Sequence, residues 1–337
     1  MFTKIYDFIK TFIKEYYRDL IFITVAALLL FIELPFVIYT PGGLINLNKR
    51  ITISNEYETK GSFNMTYVTL AKPNIPNILL AKIVKNWDIE DKDTIALDGD
   101  SVKETLKKDK YAMKEAQDNA VIAAYNLTDK TIKINNYHHY VYYVSKDAKT
   151  SIEEFDEILS INDKKITSLD DIKKIVTESK LGDILSVKVL RDNKEKDVTA
   201  KVFNTEDGLK IGIAVYTNID YEADPSVSIK SKNSESGPSG GLMTSLAIYN
   251  KLTKEDITKG KKISGTGTID SQGNIGEIGG VKYKLIGAVK KKSDIFICPK
   301  ENYKEALKIA KKNNYNIKII TGDTLEEIIK KLDNITD

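Results

Sequence analysis

The twenty residues from Leu20 to Tyr39, LIFITVAALLLFIELPFVIY, carry a single charge, Glu33. As a helix such a run measures about 30 Å, the hydrocarbon thickness of a bilayer. A cleaved signal peptide would need a short basic flank and a small-x-small cleavage site. Here the preceding flank is long and IYTPGG follows. The expectation is an uncleaved anchor: one transmembrane helix over residues 20–40, in contact with membrane lipid, behind a cytoplasmic amphipathic segment over 1–19. In that segment Phe2, Ile5, Tyr6, Ile9, Phe12, Ile13 and Tyr16 recur at helical spacing, which suits a membrane interface or a solvated amphipathic helix. Lys4, Lys10, Lys14 and Arg18 precede the span and only Lys49 and Arg50 follow it closely. This bias puts the N-terminus in the cytoplasm and the main body outside the cell membrane.

A chain of 337 residues has room for two or three domains. Its 51 basic and 48 acidic side chains nearly balance, and none of the basic ones form the concentrated patch that nucleic acid requires, so no nucleic-acid partner is expected. The one cysteine, Cys298, excludes an internal disulfide and a cysteine-based zinc site, and within DIFICP it reads as a buried strand residue. His138 and His139 are adjacent. On a strand they would point to opposite faces, so they are not expected to share a metal. No metal and no cofactor is expected.

Beyond the anchor, Ile51 to Leu70 alternates as one or two strands and PNIPNI then breaks the pattern. From Asp109 to Leu127 the apolar positions Met113, Ala116, Ala120, Ala123, Ala124 and Leu127 fall on one helical face. Downstream, LGDILSVKVLRDNKEKDVTAKV is a hairpin signal, and SLDDIKKIV begins with a serine cap before a helical pattern. The stretch DEILSINDKKITSLDDIKKIV resembles a PDZ domain, in which Gly-Asp-x-Ile and x-Ile-Asn-Gly lead into such a helix. Phe155 and Asp163 stand where two of the glycines would be; aspartate tolerates the left-handed turn that follows. The resemblance implies binding of a peptide as an added strand.

The stretch SESGPSGGLMTSLAIYNKL places Ser239 on a glycine-rich corner at the mouth of a helix. It can be a helix cap, a phosphate cradle or a nucleophile. No Gly-Lys-Ser/Thr closes the turn, so the phosphate reading is the weaker. A nucleophile needs a base, and both histidines lie in the PDZ-like region. Downstream, two strands joined by SQGN end at Gly279-Gly280, and a helix carrying Lys284 follows. A lysine serves as general base only when neutral, which burial among apolar neighbours promotes. Leu285, Ile286 and Ala288 adjoin Lys284; Lys282 reads as a solvated charge.

GPSGG, GTGTI and GGVKYK occur in the order and near the spacing of Lon proteases, and the similarity runs from about Val227 to Leu332, including FICPKEN. The chain resembles peptidase family S16, specifically the ATP-independent, membrane-anchored PDZ–Lon-like proteases of Gram-positive bacteria. That resemblance implies an α/β (α+β) Lon-type proteolytic domain, ribosomal protein S5 domain 2-like, with a PDZ domain and one preceding transmembrane helix. It implies Ser239 as nucleophile, Lys284 as general base and Thr266 as the threonine bonded to that lysine, supported by Gly237, Pro238 and Gly240. Departures are Ser236 for an aspartate, Gly240 for an alanine and Thr268 for a glutamate. GSFNMTYVTL and KEAQDNAVIAAYN are similar to the strand and helix that precede the serine segment in Lon. The expected layout is therefore 41–127 as strands and helix of the protease domain, 128–205 as an inserted PDZ domain and 206–337 as the remaining protease domain. The implied function is a serine endopeptidase acting on extracytoplasmic peptides or unfolded segments, with a possible homo-oligomer. The alternatives are an inactive scaffold that binds partner proteins, and a small-molecule kinase of the GHMP type, whose Ser-Ser run is missing here.

Overall fold

The structure is a computed structural model and describes residues 2–92 and 102–335. Its helices are α1 (Phe2–Phe31), α2 (Ile75–Ala81), α3 (Val102–Asn126), α4 (Leu169–Glu178), α5 (Gly241–Leu252), α6 (Val281–Lys290), α7 (Lys300–Lys312) and α8 (Leu325–Asp333).

The apolar run from Leu20 to Tyr39 is divided between two elements. α1 ends at Phe31, and the strand Phe36–Asn46 begins just after Pro35, which cannot continue a helix and biases its predecessor toward extended backbone. Val37 and Ile38 are buried in the protein. Leu34 donates its N–H to the carbonyl of Pro73, 2.9 Å away. The expected helix over residues 20–40 is thus corrected: the twelve residues Leu20 to Phe31 rise only about 18 Å. Among the described residues, no helix is long and apolar enough to cross a membrane. None of the residues of α1 is buried.

One sheet runs Lys318–Gly322, Ile295–Pro299, Lys262–Gly265, Ser62–Ala71, Phe36–Asn46, Asp88–Asp91. The first four strands are parallel and the last two antiparallel to their neighbours. Three of its strands therefore precede residues 128–205 in the chain, and three follow them. Alternation along Ile295–Pro299 sorts the core. Ile295 and Ile297 pack with Leu242, Met243 and Leu246 of α5, while Phe296 and Cys298 pack with Val281 and Leu285 of α6. α5 and α6 thus lie on opposite faces. PNIPNI, which interrupts the strand pattern, caps a short helix: Asn74 Oδ1 accepts from the N–H of Asn77 at the start of α2.

The second sheet runs Ile213–Asp224, Thr131–Val144, Glu157–Ile161, Ile184–Arg191, Lys194–Lys201, over its own core of Val141, Ile158, Ile161, Val187 and Val189 with Ile172 and Val176 of α4. Ser168 caps α4 by accepting from Asp171 N–H, and the Asp171 carboxylate returns a bond to Ser168 N–H, a reciprocal capping box. Phe155 has φ 73° and Asp163 φ 60°. These are the two positions where PDZ sequences carry glycine, and the backbone keeps the left-handed turn without it. Phe155 packs edge-on against Tyr111 of α3, 5.8 Å between centroids.

α3 joins the two halves. Tyr111 stacks on Tyr216 of the second sheet at 4.7 Å, and burial against that sheet pushes the Glu115 carboxyl up to about 7. At the other side of α3, the carbonyl of Asp109 accepts the N–H of Gly237 at 2.9 Å.

Candidate active site

Pro238–Gly240 form a short 3₁₀ turn directly before α5. Gly237 precedes it at φ 94°, a conformation open to glycine and strained for other residues. Pro238 suits the first turn position because it has no N–H to satisfy. No side chain caps α5, so Ser239 does not act as the cap. A Cβ on Gly240 would stand 2.7 Å from Met65 Sδ, so an alanine there would require the flexible methionine to shift.

Lys284 lies on α6 and Thr266 just beyond the strand Lys262–Gly265. The two helices, from opposite faces of the sheet, meet over the C-terminal end of that strand. Lys284 Nζ is 2.9 Å from Ser239 Oγ and 3.1 Å from Thr266 Oγ1. Thr266 donates its hydroxyl to the carbonyl of Ser239 at 3.0 Å, and Gly267 N–H donates to the same oxygen at 2.8 Å. Thr266 is itself held by its N–H on the carbonyl of Ile297, 2.9 Å away. Burial depresses the Lys284 amine from 10.5 to about 8, since desolvation penalises the charged form. Among the described residues, no carboxylate is bonded to it. A hydroxyl on a tight turn beside an amine whose pKa is lowered to about 8 can, when that amine is unprotonated, transfer its proton and attack a carbonyl.

Ser239 and Lys284 line a cleft of about 1010 Å³. Its walls include Tyr39, Leu44, Met65, Tyr67, Met113 and Ile278, positions that the alternating strand and helix patterns mark as apolar without saying what they face. Ser236 removes one acid from the rim, yet Asp109 and Glu235 line the same cleft. Glu235 is paired with Arg50 at 2.8 Å. Thr268 also lines it. Lys282 is not simply solvated: its amine pairs with Asp88 at 2.6 Å. The histidines are in the other sheet. His138 lies between Glu157 and Asp220 at 2.6 and 3.1 Å, and His139 bonds Thr217 at 3.1 Å. Cys298 is buried, its thiol pushed up to about 12. Among the described residues no cluster of His, Cys, Asp and Glu could hold a metal.

Residues 229–334 match the Lon protease (S16) C-terminal proteolytic domain, and residues 124–202 match the PDZ domain. Similar proteins include the Lon protease of Trichlorobacter lovleyi, 32% identical over 94 residues, which are 28% of this chain and 11% of that protein. The Lon protease of Campylobacter jejuni is 34% identical over 95 residues, 28% of this chain and 12% of that one. That of Azospirillum brasilense is 26% identical over 174 residues, 52% of this chain and 20% of that one. The chain thus spans a fifth or less of the length of these relatives. A crystal structure of the PDZ domain of an SdrC-like protein from Listeria monocytogenes aligns at a TM-score of 0.23 and 20% identity, covering 25% of this chain and 92% of that one. The chain carries a Lon-type proteolytic domain of peptidase family S16 together with a PDZ domain.

Proposed function

We propose that this protein is a serine endopeptidase with a Ser239–Lys284 dyad that works without ATP on extended polypeptides. One observation carries the reading: the Lys284 amine, buried and with its pKa lowered to about 8, is 2.9 Å from the Ser239 hydroxyl. Ser239 Oγ attacks the scissile carbonyl as its proton passes to Lys284 Nζ. The backbone N–H groups of Ser239 and its neighbours face the oxyanion, each such donor being worth about 3 kcal/mol of barrier. Lys284 then gives the proton to the departing amine. Water, deprotonated by the same lysine, releases the acyl group from Ser239. Thr266 holds the amine and the serine backbone in one geometry.

The PDZ domain, inserted into the protease domain, takes peptide segments as an added strand and supplies them to the cleft. α1 attaches the chain to a membrane surface; its apolar residues, exposed along the whole helix, support this. Short secreted peptides and unfolded segments are the substrates such a cleft admits without an unfolding motor.

The test uses the full chain in detergent with a pool of unstructured peptides and no ATP, comparing wild type with Ser239→Ala and Lys284→Ala. Cleavage by wild type alone is expected. Cleavage that survives both substitutions would overturn the dyad, and an inert wild type would favour a binding scaffold.

A further inference from the structure

Immediately beside the C-terminal end of α1 lies a second exposed apolar surface. Leu79 and Leu80 of α2, with Ile83 and Val84 in the turn that follows, are all exposed, Ile83 by 83%. Ile83 and Val84 both donate their N–H groups to the carbonyl of Leu80, so the four side chains are grouped by helical spacing. Clustered large apolar side chains of this kind mark an interaction surface.

Its placement relative to α1 is fixed. Asn74, the cap of α2, donates its side-chain amide to the carbonyl of Leu30 at 2.9 Å. The apolar end of α1, with Phe31 and Ile32 exposed, therefore continues into the α2 surface. From Leu70 to Trp87 the chain holds Lys72, Lys82 and Lys85 and no acidic residue, and the three lysines are exposed. Trp87 closes the segment. An apolar surface with a basic rim and a tryptophan at its border is complementary to the interface of an anionic bilayer. Trp87 leads into the strand Asp88–Asp91. Asp88 pairs with Lys282 on α6 at 2.6 Å, and Asp88 lies opposite Tyr39, which lines the cleft.

We infer that the segment from Leu79 to Trp87 is a second membrane contact, seated in the headgroup region of an anionic bilayer, which holds the catalytic cleft close to the lipid surface. This rests on the membrane attachment proposed above for α1. The segments cleaved are then those lying at the membrane surface.

Trp87 is the only tryptophan in the chain, so its emission reports on this surface without labelling. The full chain is reconstituted into phosphatidylglycerol–phosphatidylcholine vesicles, floated on a gradient and compared in vesicles whose acyl chains carry bromine at shallow positions. The expected result is about twofold quenching of Trp87 by brominated lipid, lost in the double variant Ile83→Asp, Val84→Asp, which still floats through α1. Both substituted side chains are exposed, so folding is preserved; unchanged circular dichroism checks this. A wild-type chain that floats with unquenched Trp87 overturns the inference and leaves the attachment standing. A chain that does not float removes the attachment and the inference with it. If Trp87 emission is already blue-shifted in detergent and Ile83→Asp halves the particle mass, a second copy covers the surface and the inference is overturned.

Discussion

Gly287 on α6 rests against the backbone of Gly42. A β-carbon on Gly287 would stand 3.0 Å from the Gly42 carbonyl oxygen and 3.2 Å from its carbonyl carbon. Gly42 lies in the irregularity between Pro41 and Leu44, where the register of Phe36–Asn46 against Ser62–Ala71 shifts. The close approach sets how deeply α6 sits on the sheet, and with it the position of Lys284 one turn earlier.

Gly287→Val is therefore expected to lift α6 from the sheet. Glycine in a helix interior ordinarily costs about 1 kcal/mol relative to alanine, so a larger residue would stabilise an open site. Here the contact is rigid backbone, and the sign reverses. We expect a lower Tm and a roughly tenfold lower kcat with little change in KM, about 1.4 kcal/mol of barrier. A variant as active and as stable as wild type would show that α6 is not held by this contact.

The pH dependence follows from the depressed amine of Lys284. In the proposed mechanism only its neutral form accepts the serine proton, so kcat/KM should rise about tenfold per pH unit below about 8 and level off above it. Stability has a definite sign too. Between about 8 and the ordinary 10.5 the unfolded chain binds a proton that the folded chain does not, so stability rises with pH across that window. Below about 8 the full penalty of burying the amine is present. Lys284→Met should be more stable than wild type at pH 7 in urea titrations and should lack the rise toward pH 10.

In the proposed mechanism Thr266 positions Ser239 and Lys284 without touching the scissile bond. Its hydroxyl donates to the Ser239 carbonyl and accepts from Lys284. Thr266→Val removes both bonds at nearly constant volume, and kcat should fall about tenfold, again near 1.4 kcal/mol, with KM unchanged. Thr266→Ser should retain most of the activity. The separation of kcat from KM, together with a displaced acid limb of the pH profile, distinguishes positioning from general destabilisation.

In the PDZ domain the carboxylate of Asp156 is fully buried and accepts from Arg191 Nε at 2.6 Å and Nη2 at 2.7 Å. Arg191→Ala leaves that charge without its cation, a change that typically costs about 3 to 5 kcal/mol. Hydrogen exchange should show the amides of Glu157–Ile161 and Ile184–Arg191 losing protection while those of Ile295–Pro299 keep it. Arg191→Lys should recover only part, because an ammonium cannot make the two-pronged bond.

Much of this protein is written locally. The capped α4, the hairpin turning at Asp192-Asn193 with both residues at positive φ, the buried Cys298 strand and the glycine corner ahead of α5 are all set by short-range pattern and turn chemistry. The left-handed turns at Phe155 and Asp163 persist although neither is glycine, because the strands on either side hold them. Tertiary structure alone decides two things. Hydropathy along Leu20 to Tyr39 states that these side chains avoid water; it does not state what covers them, and Val37 and Ile38 are covered by sheet and helices remote in sequence. The state of Lys284 is likewise collective. Its neighbours in the chain make an apolar helix, but the amine loses its solvent, and its pKa falls to about 8, only where α5, α6 and the end of Lys262–Gly265 converge, because desolvation depends on what surrounds an atom in space.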